Sequence, residues 1–543
     1  MRKLFILFAG ILMTGSLFAG GLVTNTNQSA RYTRFLSRNA STGLDAVYYN
    51  PAGLTRLGNG FFLSLNNQTI GQTKTVTSDY PYLTGAPKDY VGKVSAPFFP
   101  GIYADFNVGR FSLSAGFNPI GGGGGAKYDT GLPSFEMQVA DLVPLLVSQG
   151  IPTTAYSADI FFEGTSTYFG YQVNAAYELS DWLSVAAGIR LVTAKNTYNG
   201  SMKNIMINPT YPVFGSSYNG SPVLASQFFT DGATFINTLA SGATLLGTGL
   251  QQIIAGGGGS VLLSDGTSAG LSAAQILQIQ GILVAAGLNP ASITIAQAQG
   301  MLAQVGPVFA AKATTMANTA AQTQDVYVDA SRSGMGYTPT ISVNLSPASN
   351  LNIAVRYDFK TKLDLTTKVN DNKSGGIFTD GSTVIADMPA MLAAGIEYKP
   401  MDKLLVSASM NYYFDKQVDW DGSESLDVNM IDKNSKEFAL GVEYGITDKF
   451  RVSAGWLGTF TGVNSFYQND QTFSLNTNSI GAGIGLRLTD MIDLNLGGMY
   501  TFYQESTDAY QHMLGTTVVD YNQTYNKKTW VVAVGLDFRF GGK

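Results

Sequence analysis

The chain has 543 residues, of which 13% are charged and 12% aromatic, with 62 glycines and no cysteine, whereas a typical soluble domain is about a quarter charged. With 38 acidic against 33 basic side chains, nucleic acid is excluded as a natural partner, and the missing cysteines exclude disulfides and thiolate metal sites. A mean hydropathy of +0.07 without a long apolar run beyond the N-terminus argues against a helical membrane protein and fits a transmembrane β-barrel.

In chain order, residues 1–19 read as a secretory signal peptide: Arg2 and Lys3, an apolar stretch from Leu4 to Phe18, then Ala19 and Gly20 at the cleavage site. Its removal leaves a side-chain charge of about −7. Residues 20–58 form a separate N-terminal segment. It contains DAVYYNPAGL, Asp45–Leu54, in which Tyr48 and Tyr49 run into Asn50-Pro51-Ala52-Gly53, a turn signal.

From Phe61 onward the chain repeats alternating segments of about ten residues, the signature of strands tilted across a bilayer. In the last of them, Trp530, Val532, Val534, Leu536, Phe538 and Phe540 oppose Val531, Ala533, Gly535, Asp537 and Arg539. A soluble sandwich would place charge on its second face; here that face carries small residues and isolated charges, as a crowded lumen does. Short turns at 107–110, 180–182, 346–349, 400–403, 447–449 and 489–491 alternate with long connections at 76–92, 120–165, 201–325, 368–386, 419–434, 463–474 and 508–524. The expectation is an all-β, antiparallel transmembrane barrel of 14 strands over residues 59–540, with both ends periplasmic. Twelve strands is the alternative even count if 93–107 and 326–346 are not strands.

The connection 201–325 is too long to be structureless. Ser272 with Gln275, and Thr294 with Gln297, have the spacing of helix capping boxes, predicting short amphipathic helices in an extracellular insertion. Such helices either bury their apolar faces against one another or offer a landing groove. The glycine runs from Gly121 and Gly256 lack a P-loop ending and read as flexible loop. The single histidine, His512, falls in the last long connection; it cannot build a histidine metal cluster, and no hydrolase motif accompanies it, so no catalytic residue, cofactor or enzyme activity is expected. Alternation turns Arg190, Arg356, Arg487, Asp358, Glu397, Glu443 and Asp537 into the lumen. They form either a ladder of ion pairs or, at Arg190 and Arg356, a bidentate receptor for a substrate carboxylate. Trp182 and Trp530 fit an interfacial girdle.

The segment from Gly20 through DAVYYNPAGLTRLGNG resembles the N-terminal hatch of the FadL-type outer-membrane transporters of long-chain fatty acids and aromatic hydrocarbons. The motif Asn50-Pro51-Ala52, flanked by Tyr48, Tyr49 and Leu54, carries the resemblance. SLSAGFNPIGGGG from Ser112, WLSVAAGIRLVTAKNTY from Trp182 and DMPAMLAAGIEYKP from Asp387 extend it over nearly the whole mature chain apart from most of 201–325. The resemblance implies a barrel plugged by its own N-terminus, capture of substrate at extracellular loops, a lumen site beside the hatch, and sideways exit at a kinked third strand. Here that strand is 110–120, and Phe117, Asn118, Pro119 and Gly121 are the candidates for the opening. The terminal Phe540 departs from the usual pattern in being followed by Gly541-Gly542-Lys543, and the 201–325 insertion is long and unusual in composition.

The functional expectation is a monomeric, passive channel in the outer membrane of a Gram-negative bacterium. It contacts outer-membrane lipid and carries hydrophobic small molecules, foremost long-chain fatty acids. Two other readings stand beside it: a general diffusion porin, and a structural or adhesive barrel acting through 201–325.

Overall fold

The computed structural model describes residues 24–371, 378–418 and 429–540. The expected signal peptide, the residues following Phe540 and most of the expected connection 419–434 lie outside them. The described residues form a closed antiparallel barrel of fourteen spanning strands.

These are β1 (Gly60–Ser78), β2 (Lys88–Val108), β3 (Phe111–Tyr128), β4 (Tyr156–Ser180), β5 (Leu183–Ile207) and β6 (Val326–Ala348). They continue as β7 (Leu351–Asp358 and Asp364–Asp371), β8 (Thr383–Ile385 and Met391–Met401), β9 (Leu404–Tyr413) and β10 (Lys436–Gly445). The last four are β11 (Phe450–Phe460), β12 (Thr477–Arg487), β13 (Ile492–Tyr503 and Ser506–Leu514) and β14 (Thr517–Phe540). Each pairs with its neighbours in sequence, and β1 closes on β14 from Phe61 opposite Phe540 to Ser78 opposite Gln523. Closure leaves no strand with a free edge along its whole length.

Alternation maps onto burial as a barrel requires. On β10, Phe438, Leu440, Val442 and Tyr444 are exposed outward, while Glu437, Ala439 and Glu443 are buried inward. Trp182 and Trp530 are both exposed on the outer surface.

The connections at one end are the expected short turns. At the other end, several stretches read from sequence as loop are strand. β3 runs on to Tyr128 through the glycine run, pairing Gly124 with Ser166 and Gly125 with Thr165 of β4. The Tyr168 ring packs against Gly121, 3.2 Å from where a Cβ would stand, so aromatic contact covers the bare backbone. Likewise 508–524 is a hairpin from Ser506 opposite Tyr525 to Leu514 opposite Thr517, not a loop. In the hairpin Tyr510, Val519 and Tyr521 pack inward while Gln511, Asp520 and Asn522 face out, so the sequence lacks the outward apolar row that marks a strand in lipid.

Two long connections carry α-helices. Between β3 and β4 lie α3 (Pro133–Ala140) and α4 (Leu142–Ser148); between β5 and β6 lie α5 (Ala225–Ala255), α6 (Ala273–Ala285) and α7 (Ile295–Gln322). Both expected capping boxes are present, Ser272 with Gln275 and Thr294 with Gln297. The second helix is not short, however: α7 extends 28 residues through Pro307 and packs along the 31-residue α5, whose Thr- and Gly-rich sequence did not announce a helix. Leu250, Ile279, Leu283, Ile295, Leu302 and their neighbours bury one another in a common core. The helical part begins after Ile207, since β5 continues through the first residues of the expected insertion.

Candidate functional site

The chain from Thr24 to Leu57 lies inside the barrel, with α1 (Ala30–Phe35) against β10–β14 and β1, and α2 (Ala46–Tyr49) against β2 and β3. Ser29 caps α1 by accepting a hydrogen bond from the Tyr32 N–H at 2.9 Å. The close fit explains the small residues of the lumen face. A side chain at Gly441 or Gly455 would collide with the Phe35 carbonyl, and one at Gly481 with the Thr33 carbonyl.

The YYNPA stretch lies at the heart of this segment. Tyr48 and Tyr49 are 1% exposed and meet edge to face at 5.0 Å, and Tyr49 stacks on Tyr32 at 5.5 Å. The Tyr49 hydroxyl donates to the Thr26 carbonyl at 2.6 Å and accepts from the Gln28 N–H at 2.9 Å, fastening the segment to itself. The Asn50 side chain donates to the Ser41 carbonyl at 3.0 Å and to Asn344 Oδ1 at 2.7 Å. Pro51 opens a 3₁₀ turn, Pro51–Leu57. In that turn the Ala52 N–H donates to Ser342 at 3.0 Å, the Ala52 carbonyl accepts from Ser184 at 2.8 Å, and the Leu54 carbonyl accepts from Asn107 at 2.8 Å. The bend is thus held by β2, β5 and β6 together.

Charges bind the rest. Arg38 forms 2.9 Å ion pairs with Asp45 and with Glu397 of β8. Arg34 pairs with Glu443 of β10, and it donates to Ser453 at 2.6 Å and Asn495 at 3.1 Å. Burial opposes the charge of Asp45, but the adjacent Arg38 and the hydrogen bonds from Arg38 and Ser41 outweigh it and hold the carboxyl well below the usual carboxylate range.

Arg190 and Arg356, singled out as carboxylate receptors, are each 2% exposed. Both pair with Asp358, at 3.2 and 3.0 Å, and their guanidinium groups lie over the Tyr48 ring at 5.1 and 4.7 Å. Arg356 also donates to the Tyr48 carbonyl. Arg190 is taken up by Asp358 and Gln172, and Arg356 is directed at the segment, although its buried Nε has no hydrogen-bond partner among the described residues. Of the other inward charges, Arg487 lies 3.6 Å from Asp493, and Asp537 accepts from Ser64 at 2.5 Å. The ion-pair ladder exists, and arginines of the N-terminal segment supply part of it, a contribution that reading the strands alone could not anticipate.

The barrel wall is interrupted beside this segment. β2 and β3 pair from Val108 opposite Phe111 to Ile102 opposite Phe117, and again at Lys93 opposite Lys127; between these points there is no pairing. Asn118, Pro119, Ile120 and Gly121 are buried consecutively, so the strand leaves the pleat and bends inward there. The segment meets it: the Asn25 N–H donates to the Ile120 carbonyl at 2.8 Å and Gln28 Nε2 to the Pro119 carbonyl at 2.9 Å. Both polar atoms of the buried Asn118 amide lack a hydrogen-bond partner.

Phe117 stacks on Phe169 at 5.5 Å and lies 5.0 Å from Tyr171 at one lip of the gap, and Phe98, 76% exposed, stands at the other. Pro97 and Pro100 of β2 have no N–H to donate across the gap. Sequence reasoning flagged Pro119 but passed over these two, although the APFFPG stretch carries the same signal. Inside the gap the lumen is apolar, with Ile120, Tyr168, Val192, Leu363, Leu365, Ala386 and Met388 clustered against Tyr48.

At the mouth, α3 and α4 are tied down by carboxylates. Glu136 accepts from Lys88 at 2.6 Å, Tyr90 at 2.7 Å and Tyr156 at 3.0 Å. Asp141 accepts from Tyr80 at 2.5 Å and lies 2.6 Å from His512, which is therefore a strand residue fastening a lid. Among the described residues no cluster of side chains could hold a metal ion.

No protein-family model and no curated protein matches the chain. Solved structures do. The crystal structure of a Pseudomonas aeruginosa FadL homologue superposes with a TM-score of 0.54 at 11% identity, covering 96% of this chain and all (100%) of that one. The fold is that of the FadL homologue. The P. putida toluene transporter TodX gives a TM-score of 0.48 at 12% identity over 93% and 95% of the two chains. The Ralstonia pickettii toluene transporter TbuX gives 0.43 at 14% over 92% and 94%.

Proposed function

We propose that this chain is a passive channel of the outer membrane of a Gram-negative bacterium, exported with loss of residues 1–19, which carries hydrophobic small molecules inward, foremost long-chain fatty acids. Residues 20–58 are its hatch and α5–α7 part of its extracellular cap. The observation that carries the reading is the unpaired stretch between β2 and β3 beside a plugged, apolar lumen. A polar solute gains nothing from such an exit. An apolar one passes from the lumen into lipid without re-entering water, at a saving of roughly 25 cal/mol for each Å² kept from water.

Capture falls to a cavity of about 160 Å³ among Leu142, Leu146, Phe214, Phe229 and Met316, where α4 faces α5 and α7. The substrate then descends to the Ile120–Tyr168–Met388 patch above Tyr48. The outward apolar belt contacts membrane lipid, and closure of the barrel within one chain supports a monomer. Arg190 and Arg356 hold Tyr48 and the hatch in this mechanism, leaving the exit to Phe117, Asn118, Pro119 and Gly121. A diffusion porin is disfavoured by the buried segment that fills the lumen, and no observation favours the adhesive reading.

The test uses the chain's lack of cysteine. Phe98→Cys, labelled with a bulky maleimide on cells of a host lacking its own fatty-acid uptake, should lose most uptake of radiolabelled palmitate. The same label at Val532→Cys, exposed on another part of the belt, should not. Equal uptake by the two labelled proteins would exclude exit through this gap, and absence of palmitate uptake by the unmodified protein would exclude the fatty-acid reading.

A further inference from the structure

The highest inward-facing charges on the seam where the barrel closes are two lysines. Lys74 of β1 stands directly opposite Lys527 of β14 in the strand register. Side chains opposite one another in an antiparallel pair share a face with Cβ atoms about 5 Å apart, where like charges repel. The face is the inner one: Val76 and Tyr525, the next pair up, are fully buried, and Gln72 with Thr529, the next pair down, turns inward too. Lys527 donates to the Phe473 carbonyl at 2.5 Å and lies 4.1 Å from the centre of that ring. Lys74 has no hydrogen bond or ion pair among the described residues, and no acid pairs with either ammonium there. Elsewhere in the lumen buried arginines have acids beside them; here two cations share a half-buried site without a counterion.

Such a pair is costly unless an anion completes it. The surroundings describe the anion. Below the lysines, Gln72 Nε2 donates to Thr529 at 2.8 Å, and the Tyr503 hydroxyl lies 2.9 Å from the Thr529 hydroxyl, giving a polar floor. Above and beside them Val76, Phe473, Leu475 and Tyr525 form an apolar cluster. The site lies three residues above Trp530, about 10 Å beyond the girdle level, so it is passed between the mouth and the hatch. A charged head beside an apolar wall fits an amphiphile, not an inorganic ion.

We propose that Lys74 and Lys527 form a receptor for the carboxylate of a long-chain acid entering the lumen. The proposal rests on the transport reading above. It assigns selection of an acid over a neutral hydrocarbon or alcohol to the β1–β14 seam and not to Arg190 and Arg356.

The test is equilibrium binding to the purified full-length protein in an uncharged maltoside detergent, with radiolabelled palmitate and with hexadecanol, which has the same chain and no charge. The intact protein should bind palmitate more tightly than hexadecanol. Lys74→Gln should weaken palmitate by about tenfold, the worth of one charge-assisted hydrogen bond, and leave hexadecanol unchanged, which also certifies the fold. Lys74→Arg should retain palmitate affinity. If Lys74→Gln leaves palmitate binding intact, or weakens acid and alcohol equally, the receptor is overturned. Acetate displacing palmitate at comparable concentration would also overturn it, by revealing a general anion site. Wild-type protein binding alcohol as tightly as acid removes the receptor and spares the transport reading, whereas binding of neither removes both.

Discussion

The N-terminal segment meets the barrel in two unlike ways. Against β8–β13 it is held by buried arginines: Arg38 on Glu397 and Asp45, and Arg34 on Glu443, Ser453 and Asn495, with glycines cleared for its backbone. Against β3 it rests on Asn25 and Gln28, whose partners are carbonyls of a strand that has already lost its other neighbour. Removing one partner of a buried ion pair costs about 3–5 kcal/mol, because the other charge is left stranded, whereas a neutral hydrogen bond contributes about 1 kcal/mol. One side is therefore an anchor and the other a latch, and the latch lies at the hole in the wall. Moving the segment away from β3 would break only the weaker set.

The largest expected effect breaks both sides at once. Deleting residues 20–50 removes anchor and latch and should convert a closed barrel into a pore, seen as large, persistent conductance in planar bilayers. An unchanged, low conductance would mean that the segment is not what closes the lumen.

A smaller pair of changes separates the sides. Arg38→Ala leaves Glu397 and Asp45 buried without their cation and should loosen docking by about 3 kcal/mol, admitting protease to the segment and raising conductance. The double change Asn25→Ala with Gln28→Ala keeps the Asn25 N–H bond to Ile120 but removes the two side-chain bonds to the Pro119 carbonyl, from Asn25 Nδ2 at 3.3 Å and Gln28 Nε2 at 2.9 Å, and should cost about 2 kcal/mol or less. It should speed palmitate uptake without a standing leak, because the arginines still hold. A leak from the latch variant as large as that from Arg38→Ala would erase the distinction between the two sides.

Much of this architecture is legible in the sequence, and the illegible parts share a cause. Alternation is visible wherever lipid demands an apolar outer face, so Phe438–Tyr444 and Trp530–Phe540 declare themselves. Above the membrane the same strands face water outside, and 508–524 and the end of β3 read as loop although they are paired. Capping chemistry announced Ser272 and Thr294 because its signal lies within four residues. The length of α5 had no such marker amid threonine and glycine. The YYNPA bend is marked by its own turn residues, but the contact of Asn25 with Ile120 joins residues 95 apart in a chain that carries no local trace of it. Lys74 and Lys527 escaped for the same reason: their meeting is a property of register, fixed only when the first strand closes on the last.

The smallest effect expected concerns acid, and it sharpens the contrast because it acts on the anchor alone. Asp45 is drawn on by Arg38, Ser41 and Ser29, the last two donating at 2.6 and 3.1 Å. Its carboxyl is held well below the ordinary range when docked, and returns to an ordinary value of about 3.9 when the segment is released. A group whose value is lowered by docking binds fewer protons docked than free. Its contribution is therefore complete above about pH 4 and fades only as the pH falls through the lowered value. Bilayer conductance of the intact protein should thus be the same at pH 7.5 and pH 5, while Asp45→Asn, which removes the charge at every pH, should loosen docking at pH 7.5 already. A step in conductance between pH 7.5 and pH 5 in the intact protein would show that a group other than Asp45 governs docking in that range.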